Sequence, residues 1–288
     1  MLLGYSRQSY YQGIKFIQIK AYEADVIIEE VLRYRKLQKR IGTRKLLELM
    51  GVFLKEHNFQ IGRDAMFNLL AEHGLLVTKR KRRGFITTLS KHRFKKYPNI
   101  IRNFIPIAPN QLWVCDITYI HLSDGFAYLS LITDAYSKKI VGFYLSKDLT
   151  ANGPLQALKM ALKANPNISG LIHHSDRGVQ YCCDAYVKLL ESNTIKISMT
   201  ENGDPLENAI AERVNGILKQ ELLEEVFKDF TTAQKNVAIA CSIYNHLRPH
   251  GSIDNLKPAE AHLLNGAIPK RWKNYYQINN RKEKVMSG

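Results

Sequence analysis

Cysteine is scarce: four residues among 288 (Cys115, Cys182, Cys183, Cys241), none of them in a Cys-x-x-Cys pair. That argues against a disulfide scaffold and a cysteine-built zinc site, and it fits a reducing cytoplasm. Long apolar runs are missing too. No window approaches the roughly 20 apolar residues of a membrane span. The opening Met1-Leu2-Leu3-Gly4-Tyr5-Ser6-Arg7 lacks the charged-then-apolar order of a secretory signal. Internal repeats and low-complexity tracts are absent. Acidic residues are few in the first third: residues 1–97 hold 21 Lys or Arg against 8 Asp or Glu, whereas residues 98–288 hold 21 against 18. Most of the formal net charge of +16 thus sits at one end. Such asymmetry is a footprint for a polyanion, with solubilising surface charge as the bland alternative. The composition, 45% hydrophobic and 24% charged, is that of a soluble globular chain, and the length exceeds a single ~150-residue domain, so two domains are expected.

Residues 23–40 place Val26, Ile27, Glu30, Val31, Tyr34 and Leu37 at helical spacing. Gly42-Thr43 breaks and caps, and residues 43–57 predict a second helix with Leu46, Leu49, Met50 and Phe53 inward. A third, over 62–74, ends at Gly74, a fitting C-terminal cap. Three short helices in a basic region predict a helix-turn-helix unit, with Arg63, Asp64 and Asn68 of the third offered to a groove. Residues 79–97 follow, nine of the 19 being Lys or Arg and none acidic. Lys79, Arg80, Lys81, Arg82 and Arg83 open this run. It predicts an extended linker that neutralises phosphates and gives salt-dependent affinity.

From residue 111 the pattern turns to strands. Residues 111–122, 126–136 and 140–146 are β-rich, with Ser123-Asp124-Gly125 as a hairpin turn. Helices are expected over 152–165, 181–192 and 204–223, and short strands over 170–176 and 195–200. The order β-β-β-α-β-α-β-α predicts an α/β fold of the ribonuclease-H-like class, a mixed five-stranded sheet with helices, preceded by the small all-α domain. The expected division is a leader (1–22), a helix-turn-helix domain (23–78), a basic linker (79–105), a catalytic core (106–265) and a basic tail (266–288).

Asp116 falls mid-strand in an apolar run, where an unpartnered carboxylate is costly. Asp176 ends the Leu-Ile-His-His-Ser-Asp strand, where α/β sheets present ligand-binding groups. Glu212 lies within a helix, on a polar stripe with Asn208, Asn215 and Lys219. Each alone has a bland account: a buried pair, a turn residue, a solvated helix position. Together they are separated by 59 and 35 intervening residues.

That spacing, with the words LWVCDITYI, HHSDRGVQY, ENAIAERVNGILKQE and YNHLRPHGSIDNLKPAE, resembles the DDE transposases with a retroviral-integrase-like core, of the orfB type in the third insertion-sequence family. His73-Gly74-Leu75-Leu76 and the opening Leu3-Gly4-Tyr5-Ser6-Arg7 with Tyr10-Tyr11 are similar to that family's N-terminal segment. Pro205-Leu206-Glu207 before Asn208 departs from its usual pattern. The resemblance implies metal-dependent cleavage at element ends and strand transfer into DNA. Asp116, Asp176 and Glu212 would be the catalytic and metal-binding residues, holding two Mg²⁺ (or Mn²⁺) ions. Hard cations take oxygen ligands, and a metal pair serves both the attacking and the leaving oxygen. Asp116 would bridge the ions, with Asp176 on one and Glu212 on the other. Lys219, Asn208, Asn215, Arg63 and residues 79–83 would contact DNA. Implied partners are double-stranded DNA (terminal repeats and target), further copies of the chain, and an upstream orfA product supplied by frameshift fusion or in trans; no membrane is involved.

On the pure face argument, Lys219 lies seven residues beyond Glu212, close to two full turns at 3.6 residues per turn. That suits a phosphate next to the scissile one. His173 and His174, adjacent on a strand, are expected to divide between core and rim. His250 and Trp113 are expected to be structural, and Cys115, Cys182 and Cys183 to be packing residues. A DNA-binding repressor without catalysis has no need of three convergent acids, and a plain ribonuclease-H-like nuclease leaves the basic N-terminal helices unexplained.

Overall fold

A computed structural model describes residues 6–78, 80, 93–201 and 208–269. They divide into two compact units: one within residues 1–84 joined by residues 219–223, the other comprising the remainder.

The first unit is helical: α1 (Arg7–Leu37), α2 (Thr43–Leu49), α3 (Gly51–Glu56) and α4 (Arg63–Glu72). Ile27, Val31, Ile41, Leu46, Met50, Leu54, Met66 and Leu70 form its core, the face that the helical spacing marks out. Two boundaries differ from expectation. Helix α1 starts at Arg7 rather than near 23, because Ser6 caps it by accepting from Ser9 N at 3.1 Å. Its first half is exposed on all sides, so no apolar stripe announces it. The expected 43–57 helix is broken at Met50 into α2 and α3. Gly74 ends the α4 region at φ +65°, as a left-handed C-terminal cap. Residues 219–223 belong to this unit through Lys45, whose Nζ lies 3.1 Å from Glu221 Oε1. Arg40 Nε also donates to the Gln220 carbonyl at 3.0 Å.

The second unit is built on β1 (Leu112–Leu122), β2 (Gly125–Asp134), β3 (Ile140–Ser146), β4 (Ile172–Ser175) and β5 (Lys196–Met199). Their order across the sheet is β3-β2-β1-β4-β5. The β1–β2 and β2–β3 pairs are antiparallel, β1–β4 and β4–β5 parallel. This is the ribonuclease-H-like sheet the sequence order predicts. Helix α5 (Asn152–Ala164) covers one face beside α6 (Val179–Cys182) and α7 (Asp184–Ser192). Trp113, Cys115, Ile132, Val141, Ala157, Leu158, Tyr186 and Leu190 are buried between them. At Gly142 a Cβ would lie 2.2 Å from the Ala157 carbonyl oxygen, so only glycine lets α5 sit this close. On the other face Ala211 of α8 (Ala209–Ile217) packs with Leu112, Val114, Ala135 and Ile172.

The chain ends of this unit are tied to the sheet by buried polar groups. Asn245 of α9 (Phe230–His246) accepts from Ile140 N and donates to Ile140 O, both at 2.9 Å, pairing the edge strand β3. Asp134 is fully buried and accepts from Asn110 N, Ser137 N and Ser137 Oγ at 2.6–2.8 Å. His262, just past α10 (Pro258–Ala261), places Nδ1 2.9 Å from Ser137 Oγ and 3.7 Å from Asp134 Oδ1. Among the described residues no helix is long and apolar enough to cross a membrane.

Candidate active site

The parallel β1–β4 pair positions the first two carboxylates. Val114 is level with His174, so two residues further Asp116 on β1 meets Asp176, the first residue past the end of β4. Asp116 Oδ1 accepts from Ile117 N at 2.9 Å and Oδ2 from Asn215 Nδ2 at 2.7 Å. Asp176 Oδ1 accepts from Gly178 N at 3.0 Å. A Cβ on Gly178 would press on that same oxygen at 3.0 Å, which explains glycine in the turn. Both acids line one pocket with Ile117, Tyr119, Leu149, Gly178, Gln180 and Tyr181.

Burial foremost, and then the neighbouring Asp176 charge, raise the Asp116 carboxyl from 3.8 to about 7. The Asn215 and Ile117 hydrogen bonds oppose the rise, while the Glu212 charge adds to it. Glu212 stands exposed in the first turn of α8, not mid-helix. The three acids therefore share one field. Among the described residues, however, no three His, Cys, Asp or Glu side chains approach closely enough to hold a metal ion together. The compact triad expected from the spacing is met by two facing carboxylates and a third coupled through charge.

Several expected DNA contacts sit elsewhere. Asn208 is buried and donates to the Cys115 carbonyl at 2.9 Å, and Asn215 is buried against Asp116. Both amides turn into the sheet and staple α8 to β1 at adjacent residues, so neither faces a groove. Lys219 falls in a π-helical turn, Leu218–Leu222, where the 3.6-residue period no longer holds, and it groups with the helical unit. Arg80 is likewise directed inward within that unit, its Nη1 donating to the Lys219 and Leu223 carbonyls at 2.6 and 2.9 Å. Arg63, Asp64 and Asn68 are exposed on α4, with Arg63 Nε paired to Asp64 at 2.7 Å. Lys79, Lys81, Arg82 and Arg83 lie outside the described residues.

His173 and His174 are both core, not core and rim. His173 Nε2 lies 2.8 Å from Cys115 Sγ and 2.9 Å from Tyr186 OH, and His174 Nδ1 lies 2.9 Å from Ser198 Oγ. Burial lowers the His173 pKa to about 3. Trp113 is fully buried, and His250 Nδ1 caps the short Gly251–Ile253 helix through Ser252 N, structural roles in both cases. The positioning role of Asn215 and the pocket walls Tyr119, Leu149 and Gln180 were not read from sequence. The i+3 step from Glu212 was the available signal for Asn215.

Two Integrase core domain family profiles match residues 106–205 and 193–258. The chain is 33% identical over 265 residues to the 31 kDa protein of insertion element IS600 from Shigella sonnei, covering 90% of this chain and 95% of that protein. It is 31% identical over 244 residues to the transposase for insertion sequence element IS629 from the same organism, covering 84% and 80%. Transposase InsF of IS3A from Escherichia coli K12 is 32% identical over 162 residues, covering 55% and 56%. Among solved structures, the HTLV-2 integrase catalytic core in complex with magnesium overlays 55% of this chain and 99% of its own, at TM-score 0.44 and 18% identity.

Proposed function

The chain belongs to the orfB-type DDE transposases of bacterial insertion sequences, and from that premise we propose that Asp116, Asp176 and Glu212 carry its DNA cleavage and strand transfer. The observation that carries this reading is the meeting of Asp116 and Asp176 at the end of the parallel β1–β4 pair, with the Asp116 pKa raised to about 7. Buried acids with a carboxyl pKa raised in this way cluster at functional sites.

The donor set suits a hard divalent ion: all-oxygen, anionic, and partly open at a pocket. When bound, Mg²⁺ or Mn²⁺ would polarise the attacking hydroxyl and neutralise the leaving oxygen. Asp116 and Asp176 would hold that charge, and Glu212, on the first turn of α8, would complete the set. Asn215 orients Asp116 by fixing Oδ2. Asn208 holds the start of α8 against β1, so the helix carrying Glu212 is registered to the strand carrying Asp116. Water as nucleophile yields a nick with a free 3′-hydroxyl, and that hydroxyl as nucleophile yields joining to a target strand.

The expected domain roles remain our reading: residues 23–78 and the basic 79–105 stretch engage double-stranded DNA, and residues 106–265 carry the chemistry. Copies of the chain assemble on DNA in the cytoplasm, with an orfA product joined in cis or supplied in trans. The test is Mg²⁺-dependent nicking of DNA bearing the element's ends. Asp116→Asn, Asp176→Asn and Glu212→Gln should each abolish it while leaving DNA affinity within about twofold. Full nicking by any of the three variants overturns the assignment of that residue.

A further inference from the structure

The first sixteen residues of α1, 7–22, are all exposed. A helix of this length without a packed face is marginal in water even when rich in alanine. This one carries Gly13, three isoleucines and three tyrosines, all weaker helix formers. Its apolar residues follow an order. Tyr10, Ile14, Ile17, Ala21, Ala24 and Ile28 recur at alternating steps of four and three, the d and a positions of a heptad. Of the seven possible heptad frames over residues 10–28, this is the one whose a/d seam holds no polar residue. The seam runs roughly 27 Å along the helix. It is exposed from Tyr10 to Ala21, Ala24 is half-buried, and Ile28 packs against the core of the helical unit. Phe16, Ile19 and Tyr22 lie off the seam, at the outer positions c, f and b.

We propose that residues 7–25 of α1 form a short parallel coiled coil with the same segment of a second copy of this chain. The inference rests on the reading above that copies of the chain assemble, and it adds the surface through which they meet. Charge sets the orientation. Lys20 falls at g and Asp25 at the following e, both exposed. In a parallel pair the g side chain of one helix meets the e side chain five residues on in the other. Lys20 of each copy therefore meets the partner's Asp25, twice by symmetry. An antiparallel pair sets e against e and g against g and loses this match. Within one chain Lys20 Nζ lies 2.6 Å from Glu23 Oε2, an i, i+3 pair on the open surface that is worth little in water. The rest of the unit does not obstruct the contact. Ile27, which enters the core, is 100° around the helix from Ile28, so a two-fold axis along the seam puts the two bodies on opposite flanks. Tyr10, Tyr11 and Ile17 are each 63–67% exposed. Covering them and Ile14 in both copies removes on the order of 1,000 Å² from water, at 150–250 Å² for a whole aromatic side chain. That is the lower bound of a specific interface, so the pairing is reversible.

The test is sedimentation velocity of the full chain, without DNA or divalent cations, from about 1 to 100 µM. The wild type should shift from monomer toward dimer over that range, and Ile14→Asp/Ile17→Asp should stay monomeric. Lys20→Glu and Asp25→Lys should each weaken association about three- to thirtyfold, as two attractions become repulsions. The double variant Lys20→Glu/Asp25→Lys should recover most of the loss. Oxidation of Ile17→Cys should give a covalent dimer, because equivalent d positions face each other across the seam, whereas Ile19→Cys on the outer face should not. A wild type that stays monomeric would overturn the proposal, and so would a dimer indifferent to Ile14→Asp/Ile17→Asp. No recovery in the charge swap, or equal cross-linking at positions 17 and 19, would overturn it as well. The enzymatic reading fails separately, by absence of Mg²⁺-dependent nicking in the wild type.

Discussion

Replacing Asp116 by Asn should make the protein more stable while destroying its activity, and the size of the gain should depend on pH. The folded-state pKa of about 7 lies above the ordinary carboxyl value of 3.8. A group whose pKa is raised on folding gives stability that is complete below the unfolded value and is lost as pH rises through the folded one. Without divalent cations the wild type therefore carries, at pH 8, a penalty for ionising Asp116 beside Asp176. A rise of about 3 units corresponds to ~4 kcal/mol, and solvent reaching the pocket mouth brings the expected range to about 2–4 kcal/mol. Asn is the same shape and removes the charge. Its carbonyl can keep the Ile117 N–H, and its amide can donate to Asn215 Oδ1, which has no hydrogen-bond partner in the wild type, once the Asn215 amide flips. The assay is thermal unfolding in EDTA at pH 5 and pH 8. Asp116→Asn should unfold roughly 5–15 °C above wild type at pH 8, with a smaller gap at pH 5, and Mg²⁺ should raise the wild type but not the variant. A gap of the same size at both pH values would refute the electrostatic reasoning, because a packing effect does not titrate.

Asn215→Ala removes the donor that holds Asp116 Oδ2 and lowers its pKa; the acid limb of the nicking pH profile should move to higher pH, and an unmoved limb would count against Asn215 as a positioning residue. Gly142→Ala drives a Cβ into the Ala157 carbonyl and should cost about 1–3 kcal/mol or more in urea unfolding. Gly216→Ala, helical with nothing within 4 Å, should instead be neutral or stabilise by up to ~1 kcal/mol. His173, its pKa lowered from 6.5 to about 3, contributes stability that is present above pH 6.5 and lost as pH falls toward 3. Unfolding free energies from urea titrations should drop between pH 7 and pH 4.5 in the wild type by roughly 2–3 kcal/mol more than in His173→Gln.

The sheet was legible because its strands alternate or run apolar between turn residues; Asp116 stood out as a carboxylate in the middle of an apolar strand, and Asp176 because strand ends are readable. What sequence periodicity could not tell was direction. Asn208 and Asn215 fall on a polar stripe with Glu212, and a polar stripe ordinarily faces water; here two of its members turn inward because a buried carboxylate and a strand carbonyl need donors. Alternation divides His173 and His174 between core and rim, but a strand covered on both faces has no rim. The first half of α1 was invisible for the opposite reason: with no buried face it carries no stripe to detect. The π-helical turn at Leu218–Leu222 lies in an otherwise regular helical pattern that predicts the 3.6-residue period straight through it.

The buried Asp134, which is satisfied in part by a histidine 128 positions later, bears on how the protein is made. The hairpin that holds it leaves the ribosome early, yet the carboxylate cannot be fully enclosed until residue 262 has been synthesised. Asn245 imposes the same wait on the edge strand β3. The sheet carrying Asp116 and Asp176 is thus completed only after residue 262 has been made. A chain stopped before that residue would hold the N-terminal helices, proposed above to engage DNA, without a finished sheet, and we expect such products to occupy DNA without cutting it.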